Sequence, residues 1–146
     1  MKSRQRGATA IEFALVILIF FTFFLGLLDF ARLLFTWNAA SEAARAGARY
    51  AVVCGATGGA GDAQVLARMK VLLPEITDID VTWSPPSCDP TTCIGVTVTV
   101  QGLDFRWISP IAGLATPIAP LLLPQFKTFL TREVMHQDPN SDAMCS

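Results

Sequence analysis

One histidine, His136, and a net charge of −1 remove several classes of function before any motif is read. No Ser/His/Asp relay is legible around the one histidine, which sits next to a polar tail. Asp78, Asp80 and Asp104 read as solvated strand-edge acids, so no catalytic set, and no enzyme, is expected. A structural zinc site needs four closely spaced Cys or His ligands; paired CxxC motifs are absent and His136 has no ligand-like neighbours, so no metal is expected. The glycines between Cys54 and Gly61 are not followed by the Gly-Lys-Ser/Thr of a phosphate loop. Lysine and arginine are scattered, without the basic, aromatic-interleaved patch of a nucleic-acid binder. No cofactor and no nucleic acid are expected.

What the chain does have is hydrocarbon, concentrated at one end. Lys2, Arg4 and Arg6 precede a small-residue step at Gly7 and Ala8, and an apolar run then extends from Ile11 to Leu28. From Phe13 onward only Thr22 and Gly26 interrupt it. A helix from Ala8 to Leu28 would be about 31 Å long at 1.5 Å per residue, close to the thickness of a bilayer core. The basic cluster in front favours a cytoplasmic N-terminus, which sends the rest of the chain to the far side. Glu12 is the exception inside this run. An acid at the centre of a span costs roughly 2.5–3.5 kcal/mol on insertion scales, and intramembrane acids mark functional positions by default. Near the cytoplasmic end, part of that cost can be avoided by reaching the interface, which is the plain alternative.

A cleavable secretory signal is the first competitor. Such signals carry a 7–15-residue apolar core followed by a small-x-small site. This core is longer, and Asp29, Phe30, Ala31 and Arg32 follow it directly. Ala39-Ala40-Ser41 mimics a site, but far beyond the core and inside a helical pattern. An uncleaved, plain anchor is the second competitor.

The stretch Arg6-Gly7-Ala8-Thr9-Ala10-Ile11-Glu12-Phe13 resembles the processing signal of type IV pilins and pseudopilins. Further on, Asp29-Phe30-Ala31-Arg32 and the run from Asn38 to Ala51 resemble the helix extension of TadE-like proteins of the tight-adherence (Flp) pilus system, which typically read D-x-G-R and then N-A-A-R-E-G-A-R. The chain departs from that pattern at Ala31, where glycine is usual, and in the extra Glu42-Ala43-Ala44 spacing. The resemblance covers residues 1–53; beyond them it is architectural only. It implies that a prepilin peptidase cuts between Gly7 and Ala8, and that Glu12 is the assembly glutamate. The new α-amine at Ala8, with an ordinary pKa of about 7.7–8.0, could then pair with Glu12 of a neighbouring, axially shifted helix.

Past the apolar run, Leu33, Trp37, Ala40, Ala44, Gly47 or Ala48, and Ala51 recur at helical spacing without a proline. One helix is therefore expected from about Ala8 to Val53, spanning the membrane over 8–28 and amphipathic over 29–53. Its thin Ala/Gly stripe suits close packing on another helix or on the chain's own sheet. Glycines between Cys54 and Gly61 end it. A short helix, Ala63 to Leu73, should follow, capped by Asp62 and stopped by Pro74, with Val65, Leu66, Met69 and Leu72 or Leu73 inward. Strands are expected at Ile79–Trp83, at Ile94–Gln101 with Ile94, Val96, Val98 and Val100 on one face, and at Thr128–His136. The apolar, proline-punctuated segment 103–126 reads either as a lid over the sheet or as a patch meeting the bilayer surface or another pilus component.

All four cysteines, Cys54, Cys88, Cys93 and Cys145, lie beyond the apolar run. An even count in a small translocated domain favours disulfides. Closing Cys88 to Cys93 is locally easy, and Cys54 with Cys145 would complete one of the three possible pairings.

The expectation is thus an α+β, pilin-like chain. Residues 1–7 form a leader, 8–53 the long helix, 54–137 a small periplasmic domain with a small antiparallel sheet, and 138–146 a loose tail. The resemblance implies a pseudopilin or minor pilin of the bacterial inner membrane that acts in pilus assembly, adhesion or secretion and is incorporated into the pilus. Its partners would be the prepilin peptidase, other pilins and the assembly machinery, with inner-membrane lipid around the span. The alternative is a bitopic inner-membrane protein whose periplasmic domain binds a partner or ligand.

Overall fold

A computed structural model of the protein describes residues 5–55, 61–89, 92–109, 121–131 and 145. Helix α1 runs from Gln5 to Cys54 and α2 from Asp62 to Leu72. Strands β1 (Asp78–Ser84), β2 (Gly95–Gln101) and β5 (Phe126–Thr131) form an antiparallel sheet in the order β1-β2-β5. The two-residue strands β3 (Asp104–Phe105) and β4 (Leu121–Leu122) pair separately. The fold is α+β. Its compact units lie within Met1–Leu34 and Phe105–Leu121, and within Phe35–Asp104 and Leu122–Ser146.

In the second unit, the small-residue stripe of α1 is core. Ala40, Ala43, Ala44, Ala48 and Ala51 are buried with Val65 and Met69 of α2 and Val96, Val98 and Val100 of β2. Their spacing keeps them on one helix face, and side chains this short let neighbouring elements approach closely. Gly47 marks the tightest approach. A Cβ built there would lie 2.5 Å from Met69 Sδ and 3.3 Å from Val65 Cγ1, so α2 docks where α1 has no side chain. Arg68 of α2 covers the Tyr50 ring of α1, 5.4 Å from its centroid.

Asp62 does not cap α2. Gly61 occupies the N-cap position without a side-chain hydrogen bond, and Asp62 is the first helical residue, where its charge still complements the helix dipole. The helix stops at Leu73, which is extended ahead of Pro74, as a residue preceding proline prefers. Leu73 is the buried member of the expected Leu72/Leu73 choice, and Leu72 is exposed.

Ile94 departs from expectation. It lies one residue outside β2 and is 58% exposed, and its amide donates to Ser84 O at 2.8 Å to close the β1–β2 connection. Its side chain has the parity of Val96 but falls beyond the end of the core. Strand β5 begins two residues earlier than expected, and residues 132–136 lie outside the described residues. Phe126 and Leu130 turn toward the core while Phe129 is 52% exposed. The register pairs Val96 with Leu130 and Val100 with Phe126, which extends the apolar face of β2 into β5. Phe126 also meets Trp37 edge to face, with centroids 5.1 Å apart.

Candidate functional site

Two sets of residues are candidates for a functional site, and the first is the N-terminal turn region of α1. Gly7, Ala8 and Glu12 all lie on the exposed surface of the helix. Among the described residues, a Cβ at Gly7 would meet nothing within 4 Å, so none of them demands a glycine there. No ion pair is formed by Glu12 among the described residues. The apolar stretch around it is equally bare. Ile11, Phe13, Leu15, Val16, Leu18 and Ile19 are more than half exposed. Among the described residues, α1 is the one helix long and apolar enough to cross a membrane, and none of its most apolar window is buried by the chain itself. That is compatible with a single-pass membrane protein.

The second set begins at the first residue past the apolar run. Asp29 is 0% exposed, a buried acid on an otherwise apolar stretch of helix. Its carboxylate is met by backbone from the segment after β3. The Ile108 amide donates to Oδ1 at 3.0 Å and to Oδ2 at 3.2 Å, and the Ser109 amide donates to Oδ2 at 2.7 Å. One turn on, Arg32 lies 3.4 Å from Asp29 Oδ1, and the same Nη1 donates to the Arg106 carbonyl at 3.4 Å. Its guanidinium also lies over the Phe105 ring, 5.4 Å from the centroid. Phe105 in turn meets Trp107 edge to face at 5.4 Å. Burial by itself raises the Asp29 pKa. The Ile108 and Ser109 amides, the Ser109 side chain and Arg32 outweigh it, and the carboxyl is held below its ordinary value.

This is a clamp, built from the i and i+3 positions of one helix face, that fastens Phe105–Ser109 to α1. It divides the segment expected to be one lid or one patch. Leu103, Leu123 and Phe126 belong to the sheet core, whereas Phe105–Ser109 is held by the helix. Residues 110–120 lie outside the described residues. The sequence motif Asp29-x-x-Arg32 was visible, but its role was not. The available signal was an acid and a base one turn apart at the end of a span, where an unpaired acid would be costly.

Cys88 is bonded to Cys93, with Cα atoms 5.1 Å apart, and Cys54 to Cys145, with Cα atoms 5.4 Å apart. His136 and most of the tail lie outside the described residues. Among the described residues, no group of three or more His, Cys, Asp or Glu side chains is placed to hold a metal ion.

Fold and site together define a small α+β protein on one long, apolar N-terminal helix. A family model described as TadE-like protein matches residues 7–49, so over most of that helix the chain is similar to TadE-like proteins. The matched stretch contains Gly7, Glu12, the Asp29–Arg32 clamp and Gly47. No curated protein and no solved structure matches the chain.

Proposed function

We propose that this chain is a pseudopilin or minor pilin of a tight-adherence pilus. It is held in the bacterial inner membrane by residues 8–28, with residues 1–7 in the cytoplasm and the α+β domain in the periplasm. A prepilin peptidase cuts after Gly7, and Glu12 recruits the processed chain into the pilus assembly. The observation that carries this reading is Glu12, a carboxylate on a bare apolar helix with no ion-pair partner among the described residues. A charge in that setting favours a partner of opposite sign. The Ala8 amine of a neighbouring subunit supplies one, and pairing would neutralise both groups in a dry environment. Gly7 supports the same reading, because no contact among the described residues requires a glycine there.

The test separates charge recognition from anchoring. Glu12→Gln keeps size and hydrogen-bonding ability and eases insertion into the membrane. The variant is expected to insert and to be cut between Gly7 and Ala8, as read by intact mass, yet to lose co-purification with other pilus subunits. Assembly at the parent level would refute the pairing mechanism. Uncut protein of full mass from the native cell would instead favour the bitopic anchor whose domain binds a partner outside any filament.

A further inference from the structure

The segment held by the clamp has an unusual surface for a loop. Ile108 is 63% exposed, Arg106 is exposed, and Trp107 is half-buried beside Phe105. On α1, Leu27, Leu28, Phe30 and Leu34 are each about half exposed. The anchor of this segment is Asp29, the first residue after the span. A loop bonded through two of its amides to that carboxylate is therefore fixed at the depth where the helix leaves the bilayer. Indole rings favour that depth, with an apolar body and a polar N–H. The Trp107 Nε1 is itself covered by protein and has no hydrogen-bond partner among the described residues, so it is the exposed ring edge, beside Ile108, that faces outward. Arginine is the side chain whose planar fork matches a phosphate.

We propose that Phe105–Ser109 is a second membrane contact. Trp107 and Ile108 enter the headgroup–acyl boundary of the bilayer that holds α1, and Arg106 meets phospholipid phosphate. The Asp29–Arg32 clamp sets the depth and orientation of this contact, so α1 leaves the membrane with a fixed rotation instead of turning freely about its axis. The proposal rests on residues 8–28 being the span. It does not depend on peptidase processing or on entry into a filament.

The experiment uses the full chain in vesicles of phosphatidylethanolamine and phosphatidylglycerol, with Trp37→Phe and Trp83→Phe leaving Trp107 as the one indole. Lipids brominated near the headgroup end of the acyl chain should quench its emission several-fold more than lipids brominated at the chain end. Ile108→Asp, a change at an exposed position, should reduce the shallow quenching several-fold, and Asp29→Ala should do the same by releasing the loop. Carbonate-resistant protein whose Trp107 is quenched no more than in unbrominated vesicles would overturn the proposal while leaving the span intact. Quenching unchanged by both variants would overturn it as well. Protein extracted by carbonate would overturn the span and the proposal together.

Discussion

Removing the Asp29 carboxylate should release residues 105–109 from α1 while leaving the sheet folded. Asp29→Ala strands two amide donors, those of Ile108 and Ser109. An unsatisfied buried donor costs about 1–3 kcal/mol. The Arg32 contact is long at 3.4 Å and the Arg32 side chain is 44% exposed, so it adds at most about 1 kcal/mol. Because opening lets the freed amides find water, the net loss should be about 2–4 kcal/mol, local to this segment. At 1.4 kcal/mol per tenfold, that is roughly a 30- to 700-fold loss of protection. Amide hydrogen exchange of the detergent-solubilised chain reads it directly, with Ile108 and Ser109 accelerating and the β2 amides unchanged. Asp29→Asn keeps the shape and one acceptor but loses the charge, and should fall between the variant and the parent.

The same clamp has a pH dependence of known sign. The folded-state pKa of Asp29 is depressed, so its contribution is fully present above the ordinary aspartate value of about 3.9 and is lost as pH falls through the lower folded value. Protection at Ile108 should therefore hold at neutral pH and decay only under strong acid, and the Asp29→Asn variant should show no such transition. If Ile108 and Ser109 exchange as fast in the parent as in Asp29→Ala, the clamp does not hold the segment and the reasoning fails.

Gly47→Val should cost about 1–3 kcal/mol by overpacking, because even a Cβ there meets Met69; Met69→Ala should restore part of the lost thermal stability. Gly95→Val should be worse, since its Cβ would lie 2.5 Å from the Leu130 carbonyl and 2.6 Å from Phe129 Cζ, and backbone cannot swing aside; loss of exchange protection along β5 would report it. The two disulfides should differ in weight. The Cys54–Cys145 bond spans 91 residues and Cys88–Cys93 spans 5, so on loop-closure entropy their removal costs about 4–5 and about 2 kcal/mol. Denaturant melts of Cys54→Ser/Cys145→Ser and Cys88→Ser/Cys93→Ser would check the order, and equal losses would contradict it.

The elements that sequence revealed well are those where periodicity alone decides. The alternation of Val96, Val98 and Val100 and the long uncharged run before Leu28 each admit few structures. The failures occur where a choice depends on what lies across the chain. Ile94 continues the β2 alternation but falls beyond the reach of the core, and no local signal says where a core ends. Asp62 looked like a cap because acids favour that position, but Gly61 takes it and Asp62 keeps only its favourable charge in the first turn.

Asp29 shows the same limit more sharply. In sequence it is the polar residue that ends a hydrophobic stretch, and such residues are usually solvated. What makes it a buried anchor is a pair of amides 79 and 80 residues away, and backbone donors leave no trace in side-chain identity. A motif such as Asp29-x-x-Arg32 can therefore be recognised without its chemistry being understood. The acid is needed for its two oxygens, which satisfy two adjacent N–H groups at once. The arginine is needed for a fork that reaches a carboxylate, a carbonyl and an aromatic face from one position. Substitution by glutamate and lysine would preserve the charges and lose both geometries.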